Sequence, residues 1–191
     1  MLELKDATLI ADGRELFSRL SMVAAEGQLT CVTGPSGKTA LAGVLLGFTP
    51  LTEGFVSIDG SLLTPQSAPV FRQLMAYVPQ ERPLVPCDVA ADTEGLESVW
   101  ADGLPDGDTL RRRRMQSLTL ASIAAVLPSL TARRYIIADD PAPALADQLL
   151  TLAAEGRTVV VLSNRDEYLQ VADKIVTLGG TSTTTSSSIT V

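Results

Sequence analysis

The sequence is organised around the stretch Thr33-Gly34-Pro35-Ser36-Gly37-Lys38-Thr39. An apolar run precedes this glycine-rich turn and a helix-forming run, residues 38–46, follows it, so the turn lies where a strand ends and a helix begins. Unpaired backbone N–H groups and the helix dipole favour anions at such a place, which is typical of a phosphate-binding loop. In such a loop Lys38 would contact the terminal phosphates and the Thr39 hydroxyl would bind Mg²⁺.

The spacing of the turn departs from the usual phosphate-loop pattern. That pattern is G-x-x-x-x-G-K-[ST], whereas Gly34 and Gly37 enclose only Pro35 and Ser36. A shorter loop has fewer backbone N–H groups with which to surround a phosphate. The candidate phosphate-binding residues are Gly34, Pro35, Ser36, Gly37, Lys38, Thr39 and Ala40. We therefore expect a phosphate-binding loop of degenerate form.

Composition limits the classes of function. The chain has 191 residues, of which 46% are hydrophobic, enough for one packed domain. A net charge of −7 argues against nucleic acid as the main partner. No apolar run reaches the length of a membrane span, and the first residues lack the layout of a signal peptide, so we expect a cytoplasmic protein. The sequence contains no histidine, which excludes Ser-His-Asp catalysis and histidine metal ligands.

The two cysteines fit a reducing compartment. Cys31 lies in the apolar run before the glycine-rich turn, and we expect it to be a small buried core residue. We expect no disulfide bond between Cys31 and Cys87.

Strands and helices alternate along most of the chain. Residues 2–10 and 15–23, joined by an Asp-Gly turn, predict a small N-terminal antiparallel β region. Further strands are predicted at 28–33, 54–58, 75–78, 135–138, 158–163 and 174–178, and helices at 38–46, 68–73, 116–127, 144–155 and 165–172. This order predicts an α/β fold of the P-loop NTPase kind, with a mostly parallel sheet flanked by helices.

We expect one domain at residues 1–180, with a solvated Ser/Thr-rich tail at 181–191. Residues 82–114 are partly Pro-rich and weakly periodic, and we expect them to form a shortened helical insert. Trp100 in this segment is expected to be local core. The run Arg111–Arg114 is expected to form a solvated face, and the alternative is that one or two of these arginines approach phosphate.

Polar residues follow several of the predicted strands. They are the glycine-rich turn, Gln80, the pair Asp139-Asp140, and Ser163-Asn164. Ligands of open parallel sheets bind beyond the carboxyl ends of the strands, so we expect these groups to meet there. Asp139 would hold Mg²⁺ through its water shell, and Asp140 would orient or deprotonate an attacking water. The alternative is that these carboxylates cap the next helix, an alternative with more weight for Asp140 than for the pair.

With these groups in this order, the chain resembles the ATP-binding subunits of ABC transporters over nearly all of residues 2–180. The segments that carry the resemblance are Val32-Thr33-Gly34-Pro35-Ser36-Gly37-Lys38-Thr39, Tyr77-Val78-Pro79-Gln80, Ile136-Ile137-Ala138-Asp139-Asp140-Pro141 and Ala172-Asp173-Lys174-Ile175-Val176-Thr177-Leu178. The resemblance implies ATP and Mg²⁺ as ligands, a membrane permease as partner, and a homo- or heterodimer with another ATP-binding subunit. It also implies a location on the inner face of the membrane.

The resemblance implies roles for individual residues. Lys38 corresponds to the phosphate lysine of the family. Thr39, Gln80 and Asp139 correspond to the residues that hold or sense the metal, and Gln80 also to the one that meets the membrane subunit. These three are therefore the expected metal ligands.

The expected catalytic residues are Asp140 and Asn164, and both depart from the family pattern. Asp140 stands where the family has a catalytic glutamate, so its carboxylate is retracted by one methylene. Asn164 stands where the family has a switch histidine, and its amide cannot carry a positive charge. Arg111–Arg114 stand in place of the signature motif, and Ala11 in place of the aromatic residue that stacks on adenine. These departures predict a retained fold with weak or absent ATP hydrolysis.

Three functions from different classes fit these observations. The first is an ATP-binding subunit of an ABC-type transporter, degenerate in its catalysis, and this is the function we favour. The second is a non-hydrolysing regulatory or scaffolding subunit that pairs with a permease or with a competent ATPase. The third is a small P-loop kinase, against which the strand-end groups Gln80 and Asp139-Asp140 count.

Overall fold

A computed structural model of the chain describes residues 1–78, 80 and 130–179. The chain divides into two compact units, one of Met1–Gln80 with Ala132–Val191 and one of Glu81–Thr131. Nearly all described residues belong to the first unit. Several predictions fall outside the described residues: the insert at 82–114, the helix at 116–127, the tail at 181–191, Cys87, Trp100 and Arg111–Arg114.

Nine strands and four α-helices are described. In chain order they are β1 (Leu2–Ala11), β2 (Arg14–Ala24), β3 (Leu29–Thr33), α1 (Lys38–Leu45), β4 (Glu53–Ile58), β5 (Ser61–Leu62), α2 (Ala68–Arg72), β6 (Met75–Val78), β7 (Tyr135–Asp139), α3 (Ala146–Ala154), β8 (Thr158–Leu162), α4 (Asp166–Val171) and β9 (Lys174–Thr177). A single 3₁₀ turn, Pro143–Leu145, leads into α3. None of the described helices has the length and hydropathy that crossing a membrane requires.

The strands form two sheets. Strands β2, β1, β4 and β5 make an antiparallel sheet in that order. Strands β6, β7, β8, β3 and β9 make a parallel sheet in that order. The predicted α/β fold, with a parallel sheet, flanking helices and a small antiparallel β region, is confirmed.

The centre of the parallel sheet explains why the predicted apolar runs are strands. Every residue of β7 and β8 is buried, as expected for parallel strands that are covered on both faces. Helix α1 packs against both strands and buries Leu41, Ala42, Val44 and Leu45. Because β3 lies beside β8 in this sheet, the loop that follows β3 emerges at the same edge as the loops after β6, β7 and β8.

Gly37 fixes the start of helix α1. It is the N-cap residue and has a φ of 86°, in the left-handed region that favours glycine. A Cβ atom at this position would lie 2.9 Å from the carbonyl oxygen of Leu16. The close approach of the β2 backbone therefore requires glycine immediately before Lys38.

Candidate functional site

A cleft of about 610 Å³ lies at the carboxyl edge of the parallel sheet. Its lining residues are Leu16, Ser36, Gly37, Lys38, Thr39, Ala40, Gln80, Asp139, Asp140, Asn164 and Arg165. The structure thus brings together every predicted site residue except Gly34 and Pro35, which do not line the cleft. Sequence reasoning missed Leu16 and Arg165.

The glycine-rich loop is bonded to itself. The Lys38 ammonium donates a hydrogen bond to the carbonyl oxygen of Gly34 at 2.6 Å, which spans the short turn. Gly34 itself lies against Leu178 at the end of β9, where a Cβ atom would come within 2.7 Å of the Leu178 Cβ. Lys38 is therefore held at the loop, with its charge at the wall of the cleft.

Asn164 is tied to the start of the same loop. Its Oδ1 accepts hydrogen bonds from the Thr33 hydroxyl at 2.7 Å and from the Gly34 N–H at 2.9 Å. Its Nδ2 donates to the Gly34 carbonyl oxygen at 2.9 Å. The amide thus pairs with both backbone groups of Gly34, so it fastens the end of β8 to the loop after β3.

Asp140 is engaged by its neighbours. Its Oδ1 accepts hydrogen bonds from the Ser163 hydroxyl at 2.8 Å and from Arg165 Nε at 3.0 Å, and its Oδ2 accepts one from Arg165 Nη2 at 3.3 Å. Partial burial acts to raise the pKa of Asp140, but the Ser163 hydrogen bond and the Arg165 guanidinium outweigh burial, so the net shift of the pKa is downward. A carboxylate with a lowered pKa is a weaker general base.

Arg165 is the charged residue of the cleft that the sequence interpretation did not single out. Its forked contact with Asp140 is the geometry that guanidinium and carboxylate groups favour. Its backbone N–H also donates to the Ser163 hydroxyl at 3.2 Å. The signal in the sequence was its position, since Arg165 directly follows Asn164 at a strand end.

Asp139 suits a metal ion in a different way. The residue is 1% exposed, and its Oδ2 has no hydrogen-bond partner among the described residues. A buried carboxylate oxygen without a partner is costly unless a ligand completes it. The Thr39 hydroxyl and Gln80 line the same cleft, and oxygen donors of these kinds suit Mg²⁺.

A Mg²⁺ ion at this place would need ligands other than acidic side chains. No cluster of three or more Asp, Glu, Cys or His side chains with metal-binding geometry occurs in residues 1–78, 80 and 130–179. Phosphate oxygens and water usually complete the shell of Mg²⁺ in nucleotide sites. The residues of the cleft therefore fit a metal that arrives with a polyphosphate.

Leu16 lies at the position where the cleft meets strand β2. Ala11, which stands in place of the stacking aromatic, lies at the end of β1 and is not one of the residues lining the cleft. In the described part of the chain, the apolar residue at this side of the cleft is therefore the aliphatic Leu16.

Cys31 takes no part in the chemistry of the cleft. The residue is completely buried in β3, as predicted, and carries a free thiol. Burial raises the pKa of the Cys31 thiol to about 11, against smaller lowering effects of the Ser163 carbonyl and Lys38. The thiol is therefore neutral at physiological pH.

Cys31 is expected to resist alkylation in the folded protein. In a Cys87→Ser variant at pH 8, we expect iodoacetamide to label Cys31 only when urea unfolds the chain, because roughly one thiol in a thousand is ionised at that pH and the sulfur is inaccessible. Mass spectrometry of the labelled protein checks this. Labelling within minutes in the absence of urea would contradict it.

The chain is similar in sequence to known transport proteins. A model of the ABC transporter family matches residues 17–142. The chain is 32% identical over 131 residues to the aliphatic sulfonates import ATP-binding protein SsuB 2 of Burkholderia cenocepacia (strain HI2424). This aligned region covers 68% of this chain and 46% of that protein. The chain is also 31% identical over 220 residues to the ABC transporter ATP-binding/permease protein Rv1747 of Mycobacterium tuberculosis (strain ATCC 25618 / H37Rv). This aligned region covers 93% of this chain and 24% of that protein.

The fold is also that of a solved structure. A dimeric post-hydrolysis state of the ATP-binding cassette MJ0796, bound to ADP and Pi, superposes with a TM-score of 0.66 and 20% identity over 93% of this chain and 94% of the other. The chain spans less than half the length of each of the two curated relatives. The family match and the shared fold show that the chain belongs to the ABC transporter family and is a nucleotide-binding domain of that family.

Proposed function

We propose that this chain is the ATP-binding subunit of an ABC-type membrane transporter and that its ATP hydrolysis is weak or absent. The observation that carries the proposal is the ion pair of Asp140 with Arg165 inside a cleft that otherwise keeps phosphate- and metal-binding groups. The residues of the cleft support binding of ATP with Mg²⁺. The pairing of the Asp140 carboxylate with Arg165 supports slow ATP hydrolysis.

The binding half of the proposal rests on three side chains. Lys38 supplies a cation at the loop, and Thr39 and Asp139 supply oxygen atoms. Mg²⁺, when bound with ATP, neutralises phosphate charge and polarises the terminal phosphoryl group. Gln80 lines the same cleft, and its Nε2 donates a hydrogen bond to Asp140 Oδ2 at 3.5 Å. We assign it to the metal side of the site from the family resemblance.

The catalytic half of the proposal concerns Asp140 and Asn164. A general base must reach the attacking water at hydrogen-bond distance and must hold a proton afterwards. The Asp140 carboxylate already accepts three hydrogen bonds from Ser163 and Arg165, and its pKa is lowered, burial notwithstanding. The Asn164 amide is bonded to Gly34. Both groups would have to leave present partners before they could act on a nucleotide.

The alternative function is a non-hydrolysing regulatory or scaffolding subunit. The hydrogen bonds of Asn164 and Lys38 to Gly34 favour it, because they engage two side chains that would otherwise be available to a nucleotide. In either case the partners we propose are a membrane permease and a second ATP-binding subunit. The location we propose is the cytoplasmic face of the membrane, reached through the permease. Family membership favours both functions over a P-loop kinase.

Nucleotide binding is tested by thermal unfolding. If ATP with Mg²⁺ binds, then at ten times the dissociation constant the folded state gains about 1.4 kcal/mol, and the Tm rises by roughly 3–6 °C. Lys38→Ala is expected to abolish the rise, because it removes the cation of the loop. Lys174→Ala is a matched control, since Lys174 donates to the Val23 carbonyl away from the cleft.

The two functions are separated by phosphate release. An ATP-dependent rise in Tm without measurable release of phosphate favours the regulatory subunit, and slow release that Lys38→Ala eliminates favours the weak ATPase. No rise in Tm at millimolar ATP would overturn nucleotide binding, and fast release by the wild-type chain would overturn the proposed loss of catalysis.

A further inference from the structure

We propose that Arg165 is a phosphate-binding residue of the cleft, and that it supplies the positive charge which Asn164 cannot carry. The inference rests on the proposed function and deepens it, since it assigns a ligand group to a residue at the same site. The ligand chemistry is a polyphosphate anion, as in a nucleoside triphosphate.

The first support is the position and free hydrogen-bonding capacity of Arg165. The side chain lines the cleft together with Lys38. Its Nε and one N–H of Nη2 point to Asp140, whereas a guanidinium has five N–H donors. No other acceptor in the described part of the chain contacts the guanidinium, so Nη1 and the second N–H of Nη2 remain able to bind an anion. The side chain is 43% exposed, which leaves it accessible from the cleft.

The second support is the charge balance of the cleft. Among the described residues, its lining carries two cations, Lys38 and Arg165, and two carboxylates, Asp139 and Asp140. Without Arg165 the lining would have a net negative charge, and a polyphosphate would meet an unpaired Asp140 carboxylate. With Arg165 present, the charges of these four residues sum to zero, so an anion in the cleft meets less repulsion.

The third support is that Asp140 fixes Arg165 in place. Arg165 begins the loop into helix α4 with extended backbone, and its side chain is directed to Asp140 by the forked contact. Ser163 joins the two residues, since its hydroxyl donates to Asp140 and accepts from the Arg165 N–H. A guanidinium that is already oriented loses less side-chain entropy on binding an anion.

Binding measurements on variants test the inference. Arg165→Gln is expected to weaken binding of ATP and of inorganic tripolyphosphate roughly tenfold, as for loss of a charge-assisted hydrogen bond. Asp140→Asn is expected to strengthen binding of both, because removal of the negative charge beside the guanidinium outweighs the loss of its fixed orientation. A merely structural ion pair predicts that both variants change binding in the same direction.

The matched control is Arg134→Gln. Arg134 is 47% exposed and is paired with Asp59 and Glu26, away from the cleft lining, so its loss removes two exposed ion pairs and the same charge as the loss of Arg165. Isothermal titration with ATP and with tripolyphosphate, at one salt concentration, gives the affinities. We expect Arg134→Gln to bind as the wild type does.

The outcomes separate this inference from the proposed function. If ATP binds in a manner that depends on Lys38 but Arg165→Gln binds equally well, the inference fails and the function stands. If the wild type binds tripolyphosphate through Arg165 but does not bind ATP, the inference stands and the function fails. If neither anion binds the wild type, both are overturned.

Discussion

Gly34→Ala is expected to lower the free energy of unfolding by about 2–4 kcal/mol and to eliminate any response to ATP. The added Cβ would lie 2.7 Å from the Leu178 Cβ and 3.2 Å from the Leu178 carbonyl oxygen. The carbonyl oxygen belongs to the backbone, and the Leu178 N–H donates a hydrogen bond to the Thr33 carbonyl oxygen at 2.7 Å. The Leu178 backbone therefore cannot move away without losing that bond. The loop must move instead.

Movement of Gly34 would break several contacts at once. Its N–H and carbonyl oxygen bond to Asn164, and the carbonyl also accepts from Lys38. The Tm is expected to fall by roughly 5–15 °C, measured by circular dichroism. The control is Gly13→Ala, a turn glycine with a φ of 72° and no atom within 4 Å of the added Cβ. Gly13→Ala is expected to lower the free energy of unfolding by about 1 kcal/mol. A Gly34→Ala protein as stable as this control would show that the loop is not packed tightly at Leu178.

The sheet was predictable from the sequence because apolar runs bounded by Gly, Asp and Pro define its strands. Strand β3 was predicted at residues 28–33 and is observed at Leu29–Thr33. Strand β8 was predicted at 158–163 and is observed at Thr158–Leu162. The short strand β5 was not predicted, since two residues carry no periodic signal. The 3₁₀ turn at Pro143–Leu145 was missed because one turn of helix resembles the start of the next helix.

The location of the site was predictable for a topological reason. Carboxyl ends of parallel strands meet at one edge, so Gln80, Asp139 and Asn164 converge with the loop although they are far apart in the chain. The assignment of these residues to catalysis or to a metal stays a prediction. What the sequence could not supply was the direction of side chains after the strands end.

The contact between Asn164 and Gly34 illustrates that difficulty. Strands β3 and β8 are neighbours with Val32 opposite Leu162. Continuing that register by two residues places Gly34 opposite Asn164, so the amide meets the loop backbone. The order of strands in the sheet is not the order in the chain, and therefore this pairing was hidden in the sequence. Strands β7 and β8 are neighbours in the sheet and follow each other in the chain. The pairing of Arg165 with Asp140 was hidden because both residues lie beyond the ends of these strands, where the pattern does not give the direction of a side chain.

The double variant Asp140→Glu with Asn164→His is expected to lose about 2–4 kcal/mol of stability and to gain no brisk ATPase activity. It restores the two residue types that the family resemblance expects. However, Asn164→His removes an amide that bonds with the Thr33 hydroxyl and with both backbone groups of Gly34. Partly buried donors that lose their acceptor cost free energy even when the new side chain is polar.

The change at Asp140 adds two further costs. Asp140 has a φ of 42°, a backbone region that Asp tolerates better than Glu. The longer side chain must also shift from the positions at which Ser163 and Arg165 contact the carboxylate. Asp12→Glu is the control that separates these effects. Asp12 has a φ of 51° in the exposed turn before β2, so this variant measures only the loss of stability caused by placing Glu at a positive φ.

Catalysis is expected to stay slow because the remaining residues of the cleft are unchanged. Arg165 can still pair with a carboxylate at position 140, and the two-residue spacing between Gly34 and Gly37 still limits the backbone N–H groups of the loop. Urea denaturation measures the stability and phosphate release measures the turnover, with both single variants alongside. A double variant that is as stable as the wild type, or that turns over at about 1 s⁻¹ or faster, would show that the loop accepts the family's catalytic pair. In that case the hydrogen bonds of Asn164 would not be what holds this loop in place.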